Sequence, residues 1–536
     1  MNSCMRGGST APEDGPEEGS VGMTYPMLLS GPLTYRAAGL ANSVVLRSRQ
    51  LSDGGGWPVI LVDAFQPMFE SELRALRGEG RLGSRTEVRN LYRDFAQLPR
   101  STATLPSASR PRFVREGSTE VRTDESDPTI RRYYRSGEYV AFEKLDAEEL
   151  RPVFVDLLAS GKRYRRLRYS DEGEVCQVQS FDDSNELEAE EYFNDSGVRY
   201  LLVEHRDGAP ARWVYLDAEL REVVFASMSE MLTYWLVNFN GDVLRDHVLI
   251  SEWAFRRPAL DRAAALLNFK VVYTFHNSHL GGSRRYSRSE FKPELRSTLE
   301  ALGTMDAVVV LTNEQKYDLL KMNPALDNVH VIPHVVESEV AAETVERDPF
   351  KVAIISRLSP EKGIVNVVKE FGRILASVPD ARLDIWGRGP EEESIRAAIT
   401  SSGLSGNVSL KGFSDTPRRE YAASAVALFP SEYEGQPLSL MECVMSGCVP
   451  VAYDFKYGAR YAIEDGVSGF IVDPGNVDEL IDAVRLLLVH NDLRECMSVA
   501  GPRRLADSNT VERLRKDWLA LFLSLGGKLG RIGSRP

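Results

Sequence analysis

Residues Ser431–Val451, SEYEGQPLSLMECVMSGCVPV, decide the fold of this chain. They follow a short apolar run, Ala425–Pro430, and they contain a turn with glycine and proline before a helix-like segment, Leu438–Ser446. A second apolar run, Val449–Tyr453, comes directly after that segment. An apolar strand, a helix and a further apolar strand at this spacing are typical of the βαβ units that build a parallel sheet.

The same alternation extends through the C-terminal half of the chain. It predicts a doubly wound Rossmann-like domain over residues 336–505. The predicted strands are Lys351–Ile355, Ala381–Trp386, Val408–Gly412, Ala425–Pro430, Val449–Tyr453 and Gly469–Val472, and the predicted helices include Ile364–Ala376, Glu391–Thr400 and Asp478–Val489.

A second set of these units predicts another Rossmann-like domain, formed by residues 23–111 and 229–335. The predicted strands are Pro58–Ala64, Lys270–His276, Asp306–Leu311 and Val329–Pro333, and the predicted helices are Phe69–Arg77, Ser289–Leu302 and Glu314–Lys321. Over residues 112–228 the pattern changes to period two, as in VRYLLVEH and ARWVYLD, with Asp–Gly and Ser–Gly turn signals between the runs. We therefore expect an α/β fold of two Rossmann-like domains, with an antiparallel β-rich insert in the N-terminal one.

Composition and charge narrow the class of protein. The 536 residues favour two or three domains, and 43% hydrophobic with 27% charged residues is typical of a globular chain. The net charge of -13 disfavours broad nucleic-acid binding. Five cysteines, an odd number with no C-x-x-C pair, argue against a disulfide framework or a zinc site and favour a reducing cytoplasm.

The two ends of the chain are interpreted from their composition. Residues 1–22 are rich in Gly, Pro, Glu and Ser and are expected to be disordered. Within 506–536, Thr510–Leu525 is predicted to be an amphipathic helix that crosses back onto the first domain, or alternatively lies on a membrane surface, before a disordered tail. No apolar run reaches the length of a membrane span. We expect a cytoplasmic protein, with the inner face of the cell membrane as a site of peripheral contact.

Two carboxylates in the opening stretch are candidate ligand contacts. Glu434 lies in the turn and Glu442 lies a little over one turn into the helix, with seven residues between them. Ligands bind at the carboxyl ends of parallel strands, where the free N–H groups of a helix N-terminus suit phosphate oxygens. The alternative is that Glu434 caps the helix and Glu442 is exposed, and the spacing alone leaves the two interpretations equally open.

The loop Ser356–Gly363 carries two cations, Arg357 and Lys362, directly after the predicted strand Lys351–Ile355. A guanidinium grips two oxygens and an ammonium acts as a point charge, so this pair suits a diphosphate. Taken alone, the loop is more simply interpreted as a solvated basic loop.

Together these segments resemble the retaining nucleotide-sugar glycosyltransferases with two Rossmann domains, the GT-B fold, in the group called family 4. The resemblance rests on E-x7-E at Glu434 and Glu442, on R-x4-K at Arg357 and Lys362, and on the run Tyr457–Pro474, YGARYAIEDGVSGFIVDP. It covers residues 260–505 clearly and 25–110 more weakly.

Within that family, the chain is similar to the bacterial poly(glycerol-phosphate) or poly(ribitol-phosphate) alpha-glycosyltransferases and the related adhesin O-glycosyltransferases. The closer match rests on the β-rich insert, on Phe275–His279 and on Lys456–Gly458. In that subgroup, such an insert serves acceptor binding or assembly.

The resemblance implies a role for each residue that matches a family motif. Glu434 is expected to contact hydroxyls of the transferred sugar, while Arg357 and Lys362 are expected to stabilise the diphosphate leaving group. Glu442 is expected to accept hydrogen bonds from the ribose. His276 is expected to approach the donor sugar, with a core or loop histidine as the alternative.

Further positions match the nucleotide-binding loops of the family. They are Gly387 and Gly389 in a G-x-G-P loop, Gly412 and Phe413 at a strand end near the uracil, and Gly435, Leu438 and Ser439 beside the phosphates. His279 is expected to be structural. The family's early loop has paired glycines where this chain has Ala38 and Gly39, so Gly39 is the retained candidate and Ala38 puts the loop geometry in question.

The activity that the resemblance implies is transfer of a hexose or N-acetylhexosamine from a UDP-sugar, with retention, to a hydroxyl of a teichoic-acid type polymer or of a protein. A double displacement needs a carboxylate nucleophile and a second carboxyl group. Glu434 is the one candidate nucleophile and its implied role is hydroxyl binding, so the resemblance implies front-face transfer. The sequence holds no D-x-D motif, and we expect no cofactor and no essential divalent metal.

Two other functions stay open at this point. One is a glycosyltransferase of a lipid or small-molecule acceptor, and the other is a non-catalytic GT-B-like partner subunit that binds acceptor. The expected partners are the UDP-sugar donor, the polymeric or protein acceptor and, through the β-rich insert, a homo- or hetero-oligomer.

Overall fold

The structure is a computed structural model, and it describes residues 23–34, 39–97, 113, 119–147, 150–252, 254–280, 292, 295–336, 345–506 and 509–527. Two parallel sheets and one antiparallel sheet organise these residues. The predicted α/β fold, with two Rossmann-like domains and an antiparallel insert, is confirmed. The predictions for residues 1–22, Ala38 and the tail from 528 lie outside the described residues.

The first part of the N-terminal domain alternates strands and helices. Its elements are β1 (Thr24–Leu29), α1 (Leu40–Asp53), β2 (Trp57–Val62), α2 (Phe69–Gly78), β3 (Glu87–Asn90) and α3 (Leu91–Phe95). All six residues of β1 are buried, as expected for a strand covered on both faces of a parallel sheet. The prediction had found β2 and α2 in this part.

The insert is a single ten-stranded antiparallel sheet in which every strand pairs with its neighbours in sequence. Its strands are β4 (Thr119–Thr123), β5 (Ile130–Arg135), β6 (Glu138–Leu145), β7 (Pro152–Ala159), β8 (Lys162–Tyr169), β9 (Val175–Phe181), β10 (Leu187–Phe193), β11 (Arg199–Arg206), β12 (Ala209–Leu216) and β13 (Glu222–Phe225). The predicted Asp207–Gly208 turn joins β11 to β12 with both residues at positive φ, which the right-handed twist of a hairpin favours.

The chain then returns to complete the N-terminal domain. The elements are α4 (Met228–Phe239), α5 (Gly241–Leu244), β14 (Val248–Ser251), α6 (Arg257–Leu267), β15 (Lys270–Phe275), α7 (Arg296–Glu300), β16 (Ala307–Val310), α8 (Asn313–Met322) and β17 (Val329–Val331). The parallel sheet has the order β17-β16-β15-β14-β1-β2-β3. The predicted helix Ser289–Leu302 is shorter where the chain is described, because α7 ends at Glu300 and a 3₁₀ turn, Leu302–Thr304, follows it.

The C-terminal domain follows the predicted pattern closely. Its elements are β18 (Asp348–Ile355), α9 (Ile364–Leu375), β19 (Arg382–Trp386), α10 (Glu392–Ser401), β20 (Val408–Gly412), α11 (Pro417–Ala422), β21 (Ser424–Phe429), α12 (Leu438–Met445), β22 (Val449–Tyr453), α13 (Ala459–Ala462), β23 (Phe470–Val472), α14 (Val477–Val489) and α15 (Asn491–Ala506). Helix α9 shows why the sequence pattern predicts these elements well. Its buried residues recur at helical spacing on one face: Ile364, Val367, Val368, Phe371 and Ile374.

Each parallel sheet reverses its strand order once. The C-terminal sheet has the order β20-β19-β18-β21-β22-β23, so the reversal lies between β18 and β21. In the N-terminal sheet the reversal lies between β14 and β1. Loops leave the two central strands in opposite directions at such a point, and the crevice that opens there is where ligands bind in sheets of this kind.

The last helix, α16 (Val511–Ser524), packs on the N-terminal domain. Trp518 lies under the guanidinium of Arg47 in α1, 5.2 Å from the carbon to the ring centroid, and Phe522 meets the ring of Tyr25 edge-on at 4.9 Å. The helix therefore ties the end of the chain to its first sheet. Over the residues described, no helix is both long and apolar enough to cross a membrane.

Candidate active site

The turn after β21 places Glu434 at the reversal point of the C-terminal sheet. The Glu434 Oε1 atom accepts a hydrogen bond from the ammonium of Lys362, which lies in the loop after the neighbouring strand β18. It also accepts one from the hydroxyl of Ser431 at 2.8 Å. Both charged side chains are mostly covered, with 15% of Lys362 and 17% of Glu434 exposed. Glu434 is thus engaged with a cation rather than with the first turn of α12, which removes the interpretation that it caps this helix.

Arg357 is placed differently from Lys362. Its guanidinium bonds to Glu361 Oε1 at 2.6 Å and to the hydroxyl of Ser359 at 3.2 Å, and 64% of the side chain is exposed. The structure therefore brings one of the two predicted cations to Glu434 and pairs the other, which is largely exposed, with Glu361. Arg357 has to leave Glu361 before both cations can act on one diphosphate.

Glu442 lies on the open side of α12, half-buried, while Leu440, Met441 and Val444 on the same helix are buried. Burial raises the pKa of Glu442 to about 7, against the lowering effect of the guanidinium groups of Arg418 and Arg81. Arg81 belongs to the N-terminal domain, where it follows α2. The second acid of the pair therefore faces a cleft between the domains, and the interpretation that it is simply exposed is wrong.

The start of α12 offers backbone donors to that cleft. The helix begins at Leu438 after Pro437, and no side chain in the described part of the chain caps its first N–H groups. Leu438 and Ser439, at the first two helical positions, are half-buried. The N–H groups of a helix start carry partial positive charge, so this is a suitable place for phosphate oxygens.

The predicted glycine loops meet at the carboxyl ends of β18, β19 and β20. The N–H of Gly387 donates to the carbonyl of Gly412 at 2.7 Å, and a Cβ on Gly387 would lie 1.8 Å from the carbonyl oxygen of Ser356. Gly389 packs against the backbone of Leu358 in the same way, and Phe413 is half-buried beside this junction. Side chains at the two loop glycines would push the Arg357 loop away from its neighbours.

Gly435 is a point of close approach between the two domains at the site. A Cβ there would lie 2.1 Å from the carbonyl oxygen of His276, at the end of β15. Beside it, the side-chain oxygen of Gln436 accepts the backbone N–H of His334 at 2.7 Å. The structure thus brings His276 to the same cleft as Glu434, although they are far apart in sequence.

The ring of His276 is held from both sides. Its Nε2 lies 2.5 Å from Glu252 Oε2, its Nδ1 lies 3.3 Å from His334 Nε2, and the two imidazoles stack with centroids 5.3 Å apart. Glu252 in turn pairs with the buried guanidinium of Arg47. Burial, with smaller contributions from His276 and Arg47, places the pKa of His334 well below its usual value, so His334 stays neutral.

Arg47, Glu252, His276 and His334 form one cluster of four residues. The sequence predicted a role in the site for His276 but not for the other three. Glu252 follows a four-residue strand, β14, and Arg47 lies in a helix, α1, with serine, arginine and glutamine on its buried face. No local pattern joins Arg47 to Glu252, which are separated by 205 positions. Their pairing follows from the order of strands in the folded sheet.

Two further predicted positions lie beside the site. His279 is buried and stacks on Tyr457 with ring centroids 5.7 Å apart, and burial lowers its pKa to about 4. Gly39 begins α1 at φ +63 with open space around it, so its positive φ rather than a crowded neighbour favours glycine there.

The Lys456–Gly458 motif holds the domains together. The ammonium of Lys456 and the hydroxyl of Tyr457 both reach Asp318 Oδ2 in α8, at 2.6 and 3.0 Å.

Within the part of the chain that is described, no group of three or more His, Cys, Asp or Glu side chains is arranged to hold a metal ion.

Comparisons with known proteins give a family model and several relatives. Residues 336–504 match the family model described as glycosyl transferases group 1. The poly(glycerol-phosphate) alpha-glucosyltransferase of Bacillus subtilis is 26% identical over 481 residues, which cover 86% of this chain and 69% of that protein. The poly(ribitol-phosphate) alpha-N-acetylglucosaminyltransferase of Staphylococcus aureus is 23% identical over 499 residues, which cover 92% and 98%.

Solved structures match over almost the whole chain. The fold of Staphylococcus aureus TarM, crystallised with UDP and alpha-GlcNAc-glycerol, covers 93% of this chain and 99% of that one, with a TM-score of 0.78 at 21% identity. The pneumococcal O-GlcNAc transferase GtfA, crystallised with UDP and GlcNAc, covers 94% and 99%, with a TM-score of 0.75 at 17% identity. Residues 336–504 are therefore similar to the group 1 glycosyl transferases, and the whole chain has the GT-B fold that TarM and GtfA share. Its relatives identify it as a glycosyltransferase.

Proposed function

We propose that this chain moves a hexose or N-acetylhexosamine from a UDP-sugar to a hydroxyl of a polyol-phosphate polymer or a protein, with retention at the anomeric carbon. The observation that carries the proposal is the Lys362–Glu434 pair, which sits at the reversal point of the C-terminal sheet, opposite His276 of the N-terminal domain. That crevice provides a cation for the leaving phosphate and an acid for sugar hydroxyls at adjoining positions.

In this proposal the diphosphate lies between Lys362 and the start of α12. The ammonium and the backbone N–H groups of Leu438 and Ser439 then stabilise the charge that develops on UDP as the glycosidic bond breaks. Arg357 joins them when a phosphate replaces Glu361 as its partner, because a phosphate offers the guanidinium two oxygens at once.

The remaining residues position the donor. Glu434 accepts hydrogen bonds from hydroxyls of the sugar, and Glu442, farther along α12, accepts them from the ribose. Glu434 already holds Lys362 and Ser431, an arrangement that suits a binding group better than a free nucleophile. We therefore propose front-face transfer, in which an oxygen of the departing phosphate takes the proton of the acceptor hydroxyl, and no cofactor or divalent metal takes part.

Two kinds of support favour these donor and acceptor classes. TarM and GtfA, whose folds this chain shares, were both crystallised with UDP. Two relatives that align over most of this chain are named for poly(glycerol-phosphate) and poly(ribitol-phosphate), and a third, the GtfA subunit of Streptococcus gordonii, is named for a peptide acceptor. We propose that the reaction takes place in the cytoplasm, with peripheral contact at the inner face of the cell membrane.

A donor-by-acceptor matrix tests the proposal. The purified chain is incubated with UDP-glucose or UDP-N-acetylglucosamine and with a glycerol phosphate oligomer, a ribitol phosphate oligomer or a serine-rich peptide, and the products are identified by mass spectrometry. We expect UDP release and an α-linked product with at least one pair. Absence of UDP release from every donor contradicts the proposal, and a β-linked product contradicts retention.

A further inference from the structure

The reversal point of the N-terminal sheet carries a polar cluster that the donor site does not use. Arg256 follows β14, Ser30 follows β1, and Asp63 follows β2. The Nε atom of Arg256 donates to Asp63 Oδ2 at 2.7 Å and lies 3.2 Å from the hydroxyl of Ser30, which itself donates to the same oxygen at 2.9 Å. The cluster thus spans the gap between β14 and β1, where a second ligand crevice is expected.

Asp63 binds the guanidinium of Arg256 through its Nε atom. The side chain of Asp63 is 1% exposed and that of Arg256 is 24% exposed. Burial raises the pKa of Asp63, whereas Arg256, Ser30 and the backbone of Gly31 favour its charged form. Among the residues whose positions are described, none accepts a hydrogen bond from either terminal nitrogen of Arg256, so the two-pronged end of the guanidinium is available.

A second guanidinium lies beside the same turn. Arg168, in strand β8 of the insert, stands over the ring of Phe65 with its guanidinium carbon 5.8 Å from the ring centroid. Phe65 lies two positions after Asp63 and is fixed by the rings of Tyr92 and Tyr192, with centroids 5.2 and 4.8 Å away. The segment Asp63–Phe65 therefore lies between one cation of the N-terminal domain and one cation of the insert.

This cluster is close enough to the proposed reaction centre to contact the same acceptor. Strand β14, which precedes Arg256, pairs directly with β15, which precedes His276. The guanidinium itself contacts Ser30 after β1 and Asp63 after β2, which are two and three strands away from β15. Neighbouring strands are about 4.8 Å apart, so the guanidinium lies roughly 10–14 Å from His276. A group bound at Arg256 thus lies within reach of an extended polymer whose other end is at the donor sugar.

We propose that Arg256 and Arg168 flank a subsite for a phosphodiester group of the acceptor polymer, in the same crevice as the hydroxyl that receives the sugar but farther along the polymer. The inference rests on the proposed function and narrows its acceptor to a polyol-phosphate chain. A guanidinium with its forked end open matches two oxygens of a phosphodiester, and two such groups along a path suit a polymer with regularly repeated charges. An unmodified serine-rich peptide has no equivalent anion.

The test uses the full chain and two acceptors with the same kind of hydroxyl, a glycerol phosphate oligomer and free glycerol. In Arg256→Gln we expect the KM for the oligomer to rise about tenfold or more, since a hydrogen bond to a charged group is lost. The kinetics with glycerol, and UDP release without acceptor, stay at the wild-type level. Arg256→Lys keeps the charge without the fork and is expected to fall between the two proteins.

Arg257→Gln is the matched control. Arg257 is adjacent in sequence, but its guanidinium is bound to Thr304 and Asp261, so its loss leaves the KM for the oligomer unchanged. Should Arg256→Gln fail to fold, Arg168→Gln carries the test. That side chain makes one long hydrogen bond of 3.4 Å, to Gln177, and removing it raises the same KM.

Several outcomes overturn the inference. An unchanged KM for the oligomer in Arg256→Gln and Arg168→Gln does so, and so does an equal loss with oligomer and glycerol, which marks a structural role. A wild-type chain that modifies the serine-rich peptide and neither polyol-phosphate oligomer overturns the inference while the proposed function stands. Absence of UDP release from any UDP-sugar overturns both.

Discussion

Lys362 is the residue on which the proposed chemistry depends most directly. Its ammonium is bound by Glu434, which lies in the turn before α12, and the Lys362 side chain is 15% exposed. We expect Lys362→Ala to lower kcat at least a hundredfold, because a preorganised charge beside the leaving group is lost. The rate of UDP formation with the best donor and acceptor measures this effect.

Lys369→Ala provides the control for that substitution. Lys369 is an exposed lysine on α9, the helix that follows the Lys362 loop, so its removal leaves kcat and the melting temperature unchanged. Transfer at a near-normal rate by Lys362→Ala, with the same melting temperature, contradicts the role of Lys362.

In the proposed function, Glu442 makes nucleotide binding depend on pH. Burial raises its pKa to about 7, so the folded protein takes up a proton on this group as the pH falls through 7. A carboxylate accepts hydrogen bonds from two ribose hydroxyls, whereas its protonated form has to donate one. We therefore expect the affinity for UDP, measured by titration calorimetry, to weaken between pH 8 and pH 6.

Glu442→Gln separates this effect from the titration of UDP itself. The amide removes the ionisable group while UDP still titrates in both proteins, so the variant binds weakly with a flatter pH profile.

The stability of the wild-type protein depends on pH in the opposite direction to its affinity for UDP. The folded-state pKa lies above the ordinary value of 4.5, so the contribution of this group to stability is greatest at low pH and falls as the pH rises toward 7. Identical pH profiles for the two proteins contradict the assignment.

At the scale of elements, the sequence predicted what is periodic or locally spaced. In the C-terminal domain the apolar face of α9 and the fully buried strand β22 were legible, since each pattern lies within one element. Strand β14 has four residues and α1 buries Arg47 and Gln50, so neither matches an apolar template. Those elements are fixed by the sheet and helix that they pack against.

The same distinction holds within the site. Glu434, Glu442 and Lys362 were found because short motifs place them at adjoining strand ends, and the structure brings Glu434 and Lys362 into contact. The partner of Arg357 could not be read from the R-x4-K spacing, since Glu361 lies inside the same motif and competes for the guanidinium. The cluster around Glu252 depends on the pairing of strands far apart in sequence.

A substitution at Gly435 tests whether the turn between β21 and α12 positions the site. A Cβ there meets the carbonyl oxygen of His276 at 2.1 Å, so Gly435→Ala forces the turn or the whole domain to move. Overpacking of this kind costs about 1–3 kcal/mol. Because Glu434 is the preceding residue, we expect kcat to fall by more than tenfold, measured alongside the melting temperature.

Gly406→Ala is the matched substitution. A Cβ at Gly406 has open space within 4 Å, and its φ is not positive, so activity and stability are expected to stay at the wild-type level. Wild-type kcat in Gly435→Ala contradicts the close approach of the two domains at this turn.

At the scale of the whole molecule, several contacts among the described residues join the two domains. Gly435 contacts His276 and Gln436 contacts His334, α16 returns to the N-terminal sheet, and Lys456 with Tyr457 binds Asp318 of α8. The first contact lies at the proposed donor site, so we expect the other two to affect how firmly that site is assembled. The relative position of the domains is thus a property of the molecule on which catalysis depends.

Asp318 provides the test of this coupling. Asp318→Ala leaves the Lys456 ammonium and the Tyr457 hydroxyl without their shared acceptor, which costs about 1–3 kcal/mol. The cost falls on the contact between the domains and not on either sheet, so we expect a higher KM for the UDP-sugar with a smaller change in melting temperature. Glu314→Ala is the control, because Glu314 lies on the same helix and approaches Lys456 only to 3.9 Å.

A double-mutant cycle of Asp318→Ala with Tyr457→Phe then distinguishes a shared contact from two separate ones. If both substitutions act through the same hydrogen bond, the double variant raises the KM no further than Asp318→Ala does. Additive effects on the KM, or a loss confined to the melting temperature, mean that this contact supports the fold and does not set the geometry of the donor site.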